Sequence, residues 1–321
     1  MTDTTTTQTS TSTQSSHIIL GPNQYGKAEV RLVKLTRDTD RHEIEDLSVT
    51  SLLRGEFEAA HLDGDNAHVV ATDTQKNTIF AFAREGVGSP EAFLLRLSKH
   101  FIDDFDWVTG GQWQAEQYPW DRIQAHGTEH DHSFVRNGQA VRTAAVVVDG
   151  EHTHVLGGLK NLTVLKSTRS GFVGYPKDPF TTLAETTDRV LSTDVAARWR
   201  YNTTDADGGA LDISSTDFNA SYEQIKALLL EAFTENYSSA LQNTLYDMGK
   251  RVLEERSDIE EIRFSMPNKH HFLVDLAPFG LDNPNEVLFA ADRPYGLIEA
   301  TVTRDNASSA GIVWDGLAGF C

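Results

Sequence analysis

Residues 264–276 read FSMPNKHHFLVDL, a polar cluster set between two runs of alternating apolar residues. Alternation with a period of two is typical of a β-strand that buries one face. The apolar positions are Ile262, Phe264 and Met266 before the cluster and Phe272, Val274 and Leu276 after it. Because a proline cannot donate to a neighbouring strand, Pro267 predicts a bulge or kink. The stretch therefore indicates half-buried strand on both sides of a polar interruption.

The polar cluster allows two interpretations. If the alternation of the second run extends back to its start, His270 shares a face with Phe272, and His271 points away. In the first interpretation the cluster is a polar turn that exposes both histidines to water. In the second, Asn268 and His270 face a partly desolvated pocket. The rest of the chain has to decide between them.

The composition favours a large folded protein, with two domains. The chain has 321 residues, 39% of them hydrophobic, and a formal net charge of −19. Nucleic acids and anionic membrane surfaces attract Lys and Arg, so we expect no nucleic acid and no membrane as partner. No run reaches the roughly 18 apolar residues of a membrane span. An anionic small substrate remains compatible with this charge if its site is locally positive.

The cysteine content and the chain ends indicate a cytoplasmic protein. Cys321 is the only cysteine, which excludes an intrachain disulfide and a cysteine-built zinc or iron–sulfur site. Residues 1–17 are rich in Thr, Ser and Gln and lack the features of a signal peptide, so they predict a disordered leader. The chain ends in GLAGFC, without a peroxisomal signal, so we expect a bacterial cytoplasmic location.

Strand-like and helical patterns occur in a similar order in two halves of the chain, on either side of a turn at residues 149–150. In the first half, two strand-like runs precede helices that start at Thr72, where the capping-box spacing to Gln75 occurs, and at Ser89. Two strands follow, near 105–120 and 132–148. The second half predicts a strand, a helix over 181–199, a strand near 198–214, helices around 225–233 and 241–252, and strands near 260–276 and 287–304.

This order predicts an α+β fold that duplicates an antiparallel unit. We assign residues 18–150 to the first domain, 151–304 to the second and 305–321 to a C-terminal tail. Long unpaired edge strands promote aggregation, so we expect the sheets to close between subunits. The tail is apolar at Val313, Trp314, Leu317 and Phe320, and we expect it to dock on the assembly.

Common catalytic and cofactor motifs are missing from the sequence. It contains no G-x-x-x-x-G-K-S/T phosphate loop, no G-x-G-x-x-G motif and no G-x-S-x-G elbow. His126, His130 and His132 lie close together, but their spacing matches no strong metal-binding signature. We therefore predict no metal site and no nucleotide cofactor.

Two predicted helix N-termini and one arginine are candidates for binding an anion. Unpaired N–H groups give the start of a helix a partial positive charge. Thr72 and Asp73 open one predicted helix, and residues 239–242 have capping-box spacing at another. Arg189 lies four residues after Glu185, so an exposed helix ion pair is its plain structural interpretation. Capping is the plain interpretation of the helix starts.

Seven motifs, taken in order, resemble the urate oxidase (uricase) family. They are YGKAEVRLVK (25–34), VVATDTQKNT (69–78), HSFVRNG (132–138), LTVLKSTRSGFVG (162–174), TTLAETTDRVLST (181–193), ALQNTLYDMG (240–249) and SMPNKHH (265–271). The resemblance covers roughly residues 20–304. It implies two tandem tunnelling-fold (T-fold) domains per chain, each an antiparallel sheet with helices on one face, and a homotetramer that completes a β-barrel tunnel.

The same resemblance implies an oxidoreductase of purine degradation. Urate would react with O₂ and water to give 5-hydroxyisourate and hydrogen peroxide, with O₂ as a co-substrate and no cofactor. Another T-fold enzyme acting on purines or pterins, of the cyclohydrolase or aldolase type, is the first alternative. A purine-binding module without catalysis is the second.

The resemblance also assigns the residues that bind the substrate. Phe172 resembles the ring on which the purine stacks, and Arg189 and Gln242 resemble a clamp in the plane of the urate. Leu241 would add a backbone contact, and Ile298 would line the pocket. Thr72 and Asp73 would come from the neighbouring subunit, which places the active sites at subunit interfaces.

The catalytic assignment returns to the polar cluster of the opening stretch. Lys27, Thr72 and His270 resemble the proton-relay triad of the family. Asn268 resembles the amide that holds O₂ above the purine. Urate must be an electron-rich anion to give an electron to O₂, so the reaction needs a base that removes and shuttles a proton. At position 241 this chain has Leu where some relatives have Val.

Overall fold

The computed structural model describes residues 17–203 and 211–317. All but the last residue of the predicted leader, and Phe320 and Cys321 of the tail, lie outside the described residues. The described chain is α+β, as the sequence predicts: an antiparallel sheet with helices. It has one eight-stranded sheet and, separate from it, a two-stranded hairpin.

The strands of the first half are β1 (Tyr25–Thr36), β2 (Glu43–Gly55), β3 (Val108–Gln117), β4 (Asp121–Ala125), β5 (Thr128–Val135) and β6 (Val141–Asp149). Those of the second half are β7 (His152–Lys166), β8 (Leu191–Tyr201), β9 (Ile259–Leu273) and β10 (Leu288–Thr303). The order in the eight-stranded sheet is β1-β2-β3-β6-β7-β8-β9-β10, and β4 pairs with β5 in the separate hairpin. The helices are α1 (Glu58–Leu62), α2 (Thr72–Glu85), α3 (Pro90–Asp104), α4 (Phe218–Glu235) and α5 (Leu241–Glu255).

One face of the sheet carries the helices and the main core. Alternate residues of each strand point toward it, as Val146 and Val148 of β6 do. The helices α3, α4 and α5 contribute apolar stripes, and the predicted cap of α3 is confirmed because the Ser89 hydroxyl accepts from Ala92 N at 3.2 Å. A single buried cluster runs beneath helices of both halves. This face therefore defines where a pocket between sheet and helices can form.

The two halves share a local irregularity. A β-bulge interrupts the pairing of β1 between Lys27 and Val30, and another interrupts β7 between Leu159 and Leu162. In each bulge one residue has a positive φ: 55° at Glu29 and 60° at Asn161. The sheet itself is continuous across residues 149–152, because β6 pairs with β7. The division into domains at residue 150 stays a prediction.

The predicted helix over residues 181–199 is wrong. Residues 191–201 form β8, which pairs with β7 on one side and β9 on the other. The residues before β8 form an irregular loop, so Arg189 and Glu185 do not share a helix face, and Glu185 instead pairs with Lys177. The predicted strand near 198–214 correspondingly ends at Tyr201. Sheet pairing on both edges overrides the weaker helical pattern here.

Two predicted caps and one predicted bulge are also wrong. The N-cap of α2 is Ala71 and that of α5 is Ala240, and neither side chain caps its helix. Thr72 is the first residue inside α2, so its hydroxyl is not used as a cap. Pro267 lies inside a continuous β9, and the register shift falls on the opposite strand, between Ala291 and Gly296.

The C-terminal segment packs on the face of the sheet opposite the helices. Val313 and Leu317 are buried against Ala145, Val147 and Leu156 of the same chain. The indole N–H of Trp314 donates to Glu261 at 3.1 Å, and the guanidinium of Arg263 lies 4.1 Å from the Trp314 ring. The described part of the tail thus docks on its own chain; docking on an assembly stays a prediction.

A buried ion pair joins the helix layer to the sheet. Arg142 Nη2 of β6 lies 2.7 Å from Glu91 Oε2 of α3. Arg142 Nη1 also donates to Asn219 Oδ1 of α4 at 2.6 Å. Glu91 is 0% exposed and Arg142 7%. We expect Glu91→Ala to lower the free energy of unfolding by about 3–5 kcal/mol, because it leaves a buried guanidinium without its counter-charge.

Urea unfolding at a fixed protein concentration measures this change. Lys99→Ala is the matched control, since it breaks an exposed ion pair with Asp103 on the same helix and should cost less than ~0.5 kcal/mol. Equal losses in the two variants would show that the buried pair does not stabilise the fold.

Candidate active site

The polar cluster of residues 267–271 lies inside β9 and is not a turn. Asn268 and His270 follow Phe264 and Met266 at even positions, so they lie on the helix-covered face, where Met266 is buried. The rings of His270 and Phe272 are 5.8 Å apart, which confirms that they share a face. Both polar residues are partly buried. The second interpretation of the sequence, a partly desolvated position, describes this end of β9.

Backbone hydrogen bonds hold the loops of the second half against this end of the sheet. Arg189 N donates to Ser170 O at 2.8 Å, and Phe172 N donates to Thr186 O at 2.7 Å. These bonds place the guanidinium of Arg189 5.3 Å from the centroid of the Phe172 ring. The Tyr175 ring stacks on Phe172 at a centroid distance of 4.8 Å and an interplanar angle of 13°.

The N-terminus of α5 is tied to the same loops. Gly171 N donates to Ser238 O at 2.8 Å, three residues before the helix begins at Leu241. Leu241 is buried, and Gln242 is exposed in the single chain. Because no side chain of the described residues caps α5, its first N–H groups stay available for a ligand. Ile298 of β10 lies opposite Met266 and is partly buried.

Arg189 has the electrostatic properties of an anion-binding group. Desolvation lowers its pKa from the ordinary arginine value, and its Nε is buried without a hydrogen-bond partner among the described residues. In that part of the chain it has no acidic partner within ion-pair distance. Burial also lowers the pKa of His270, and the charges of Arg189 and His271 add to this effect. A lowered pKa keeps the His270 ring neutral near pH 7 and able to accept a proton.

Lys27, Thr72 and Asp73 form a second group, in the first half of the chain. The β1 bulge places Lys27 directly opposite Ser51, whose hydroxyl donates to Gln75 of α2 at 3.0 Å on the helix-covered face. Hydrogen bonding to Lys76 is the main cause that lowers the pKa of Asp73, and the charge of Lys27 contributes more weakly. Thr72 is partly buried and Asp73 is exposed.

The two groups do not meet within one chain. Lys27 is on β1, one edge of the eight-stranded sheet, whereas Asn268 and His270 are on β9, next to the other edge. Six strand spacings separate these strands, which is roughly 29 Å along the sheet. The single chain thus brings together Phe172, Arg189, Leu241, Gln242, Asn268, His270 and Ile298 as one group, and Lys27, Thr72 and Asp73 as another.

The structure adds Tyr237, which the sequence analysis missed, and explains the glycine at position 171. The Tyr237 hydroxyl donates to Thr187 O at 2.8 Å, two residues before Arg189. A side chain at Gly171 would place its Cβ 2.2 Å from that hydroxyl, so only glycine allows this contact. The glycine beside Phe172 was visible in the sequence, but its close neighbour, Tyr237, is 66 residues away along the chain.

The fold and the site define a class of protein: an α+β protein with a half-buried arginine over an aromatic ring, suited to a flat anion. Among the described residues this arginine has no acidic partner. A family model for uricase matches residues 23–147 and 155–299. The chain therefore belongs to the uricase family, and it is an oxidoreductase.

Individual relatives agree with this assignment. The chain is 59% identical to a uricase of Arthrobacter globiformis over 318 residues, 99% of this chain and 100% of the relative. It is 39% identical to a uricase of Schizosaccharomyces pombe over 287 residues, 87% of this chain and 96% of the relative. A crystal structure of the uricase from Arthrobacter globiformis superposes with a TM-score of 0.86 at 59% identity, covering 93% of this chain and 99% of that one.

Two further observations concern the described residues alone. None of the helices in residues 17–203 and 211–317 is long and apolar enough to cross a membrane. Within the same ranges, no three His, Cys, Asp or Glu side chains come together in a way that could hold a metal ion.

Proposed function

We propose that this chain oxidises urate with O₂ and water to 5-hydroxyisourate and hydrogen peroxide, without a cofactor and as a step of purine degradation. The observation that carries the proposal is the half-buried guanidinium of Arg189 next to the Phe172 ring, without an acidic partner among the described residues. A buried cation without a counter-charge is unfavourable unless an anionic ligand supplies one. Urate is such an anion, and its flat ring can stack on Phe172.

In this proposal the second-half group binds the substrate. Arg189 and Gln242 contact the edge of urate, the former with two parallel N–H donors. The backbone of Leu241, at the open start of α5, adds an N–H, and Ile298 limits the pocket with its apolar side chain. These contacts fix the ring so that one of its faces is free for O₂.

Lys27, Thr72 and His270 form the proposed proton relay. Removing a proton makes urate electron-rich enough to give an electron to O₂. The neutral ring of His270 can accept a proton, and the hydroxyl of Thr72, which does not cap α2, can pass one between the ring and the side-chain nitrogen of Lys27. Asn268 holds O₂, and later a water, above the ring. Asp73 closes the site next to Thr72.

This relay requires two copies of the chain, which supports a homotetramer with active sites at its interfaces. Within one chain roughly 29 Å of sheet separates β1 from β9. Among the described residues no strand pairs with the outer side of either sheet edge, β1 or β10, and large apolar side chains such as Phe289 and Tyr295 are exposed on β10. Pairing between copies would cover these edges and close the sheets of two tandem T-fold domains, 18–150 and 151–304, into a barrel.

A direct assay tests the proposal. Metal-stripped full-length protein is mixed with urate in air-saturated buffer, and the loss of urate absorbance and the formation of peroxide are followed together. We expect equal molar amounts of both and no loss of rate when a chelator is added. Urate that stays unchanged would overturn the proposed activity, and a rate abolished by the chelator would overturn its independence from metal.

A further inference from the structure

A buried hydroxyl next to the proposed oxygen-binding amide has no assigned role. Thr193 lies in β8, between β7 and β9, and is 0% exposed. Its Oγ1 is buried and has no hydrogen-bond partner in the described part of the chain. Buried polar groups are almost always paired, so such a hydroxyl indicates a partner that forms on ligand binding or through a small rotation of a neighbour.

The register of the sheet identifies that neighbour. Thr193 lies directly opposite Asn268 in the pairing of β8 with β9. Directly opposite residues of an antiparallel pair point to the same face, with Cβ atoms about 4.5–5.5 Å apart. This separation lets the hydroxyl reach the Asn268 amide by side-chain rotation alone.

No side chain faces Asn268 from the strand on its other side. Its partner in β10 is Gly296, and a Cβ built there would lie 3.7 Å from Ile298 Cδ1 and 3.9 Å from the Cβ of Asn268. The amide therefore has a hydroxyl beside it on β8 and no directly opposite side chain on β10. Two more buried polar atoms without partners in the described residues, Arg189 Nε and Ser170 Oγ, belong to the loops beside it. This end of the sheet is built to receive a polar ligand.

We propose that Thr193 is a positioning residue that orients the Asn268 amide, an inference that rests on the proposed function. In the O₂-bound site the Thr193 hydroxyl donates to the Asn268 side-chain oxygen, so the amide N–H groups point away from β8, toward Gly296 and O₂. Oxygen becomes negatively charged as it accepts an electron, and N–H donors stabilise that charge. The opposite orientation would present the amide oxygen and repel it.

Three variants test this role. Thr193→Val keeps the shape and removes the hydroxyl, and we expect kcat/KM for O₂ to fall about tenfold, the effect of one hydrogen bond. Thr193→Ser should restore most of the wild-type value. Thr143→Val is the matched control, since Thr143 is also buried in the sheet with an unpartnered hydroxyl among the described residues, but on the other face. Its activity should equal that of the wild type.

Two readouts separate a positioning role from a structural one. The Kd of a non-oxidisable purine analogue and the Tm should be unchanged in Thr193→Val, because the hydroxyl has no partner in the described part of the free chain. In an Asn268→Ala background, Thr193→Val should have no further effect, because it acts through the amide. An undiminished kcat/KM for O₂, an equal loss of analogue binding, or full additivity with Asn268→Ala would overturn the inference. A wild-type protein that leaves urate unchanged would instead overturn the proposed function.

Discussion

Chains carrying Lys27→Met and chains carrying Arg189→Ala, each inactive alone, should recover about a quarter of the wild-type activity when they assemble from an equal mixture. Lys27 and Arg189 belong to the two groups that lie apart in the single chain. In an equal mixture, half of the groups that contain Lys27 and half of the groups that contain Arg189 are intact. Each site is expected to take one group of each kind, from two different chains. Random pairing then makes about a quarter of the sites fully intact.

The matched control mixes two variants of the same group. Chains with Lys27→Met and chains with Thr72→Ala should stay inactive together, because every first group then carries a defect. The measurement is urate consumption after the two chains are unfolded, mixed and refolded, compared with wild-type protein taken through the same steps. Recovery in neither mixture would mean that one chain supplies the whole site. Recovery in both mixtures would mean that Lys27 and Thr72 do not belong to the same group.

Lys27→Met alone should reduce kcat by about 10²–10⁴-fold and leave the Kd of a non-oxidisable urate analogue within about threefold of the wild type. The variant removes the end of the proposed proton relay but none of the proposed contacts to the purine. Steady-state kinetics and calorimetric binding of the analogue measure the two effects. Lys34→Met, farther along β1, is the control and should keep wild-type kinetics.

Arg189→Ala, in contrast to Lys27→Met, should strongly weaken binding of the urate analogue. Loss of a charged pair of hydrogen bonds to the purine edge should weaken analogue binding by at least about 10²-fold. The proposal separates the roles of Lys27 and Arg189 in this way. Equal losses of binding and turnover in Lys27→Met would reject the relay, because the lysine would then belong to the substrate-binding contacts.

The sequence predicted most helices correctly and one long segment wrongly. The helices α3, α4 and α5 have strong apolar stripes, and each appears where its pattern predicts it. Residues 191–199 also have helix-compatible spacing, but they form the strand β8, because β7 and β9 offer pairing partners on both sides. The residue pattern within one segment does not show which strands it will pair with, and here those strands lie about 30 and 70 residues away along the chain.

The candidate site, like the fold, was predictable from the sequence only in part. The family resemblance named every residue of the two groups, and all of them except Ile298 lie in the seven motifs that carry it. They could not show that the β1 bulge turns Lys27 to the helix-covered face. Nor could they show that Arg189 lies beside Phe172 and forms no helix ion pair with Glu185. They also missed Tyr237 and Thr193, whose importance depends on neighbours brought close by loop and strand pairing.

The amino-acid sequence by itself determined the family, the α+β class, the repeated order of strands and helices, and which side chains could carry the chemistry. These follow from residue types and from periodicities that act over a few residues. The tertiary structure alone decided which residues lie together, which face each of them occupies, and that Lys27 and His270 lie on distant strands of one sheet. Strand register and bulges set those positions, and both arise from hydrogen bonds between segments far apart along the chain.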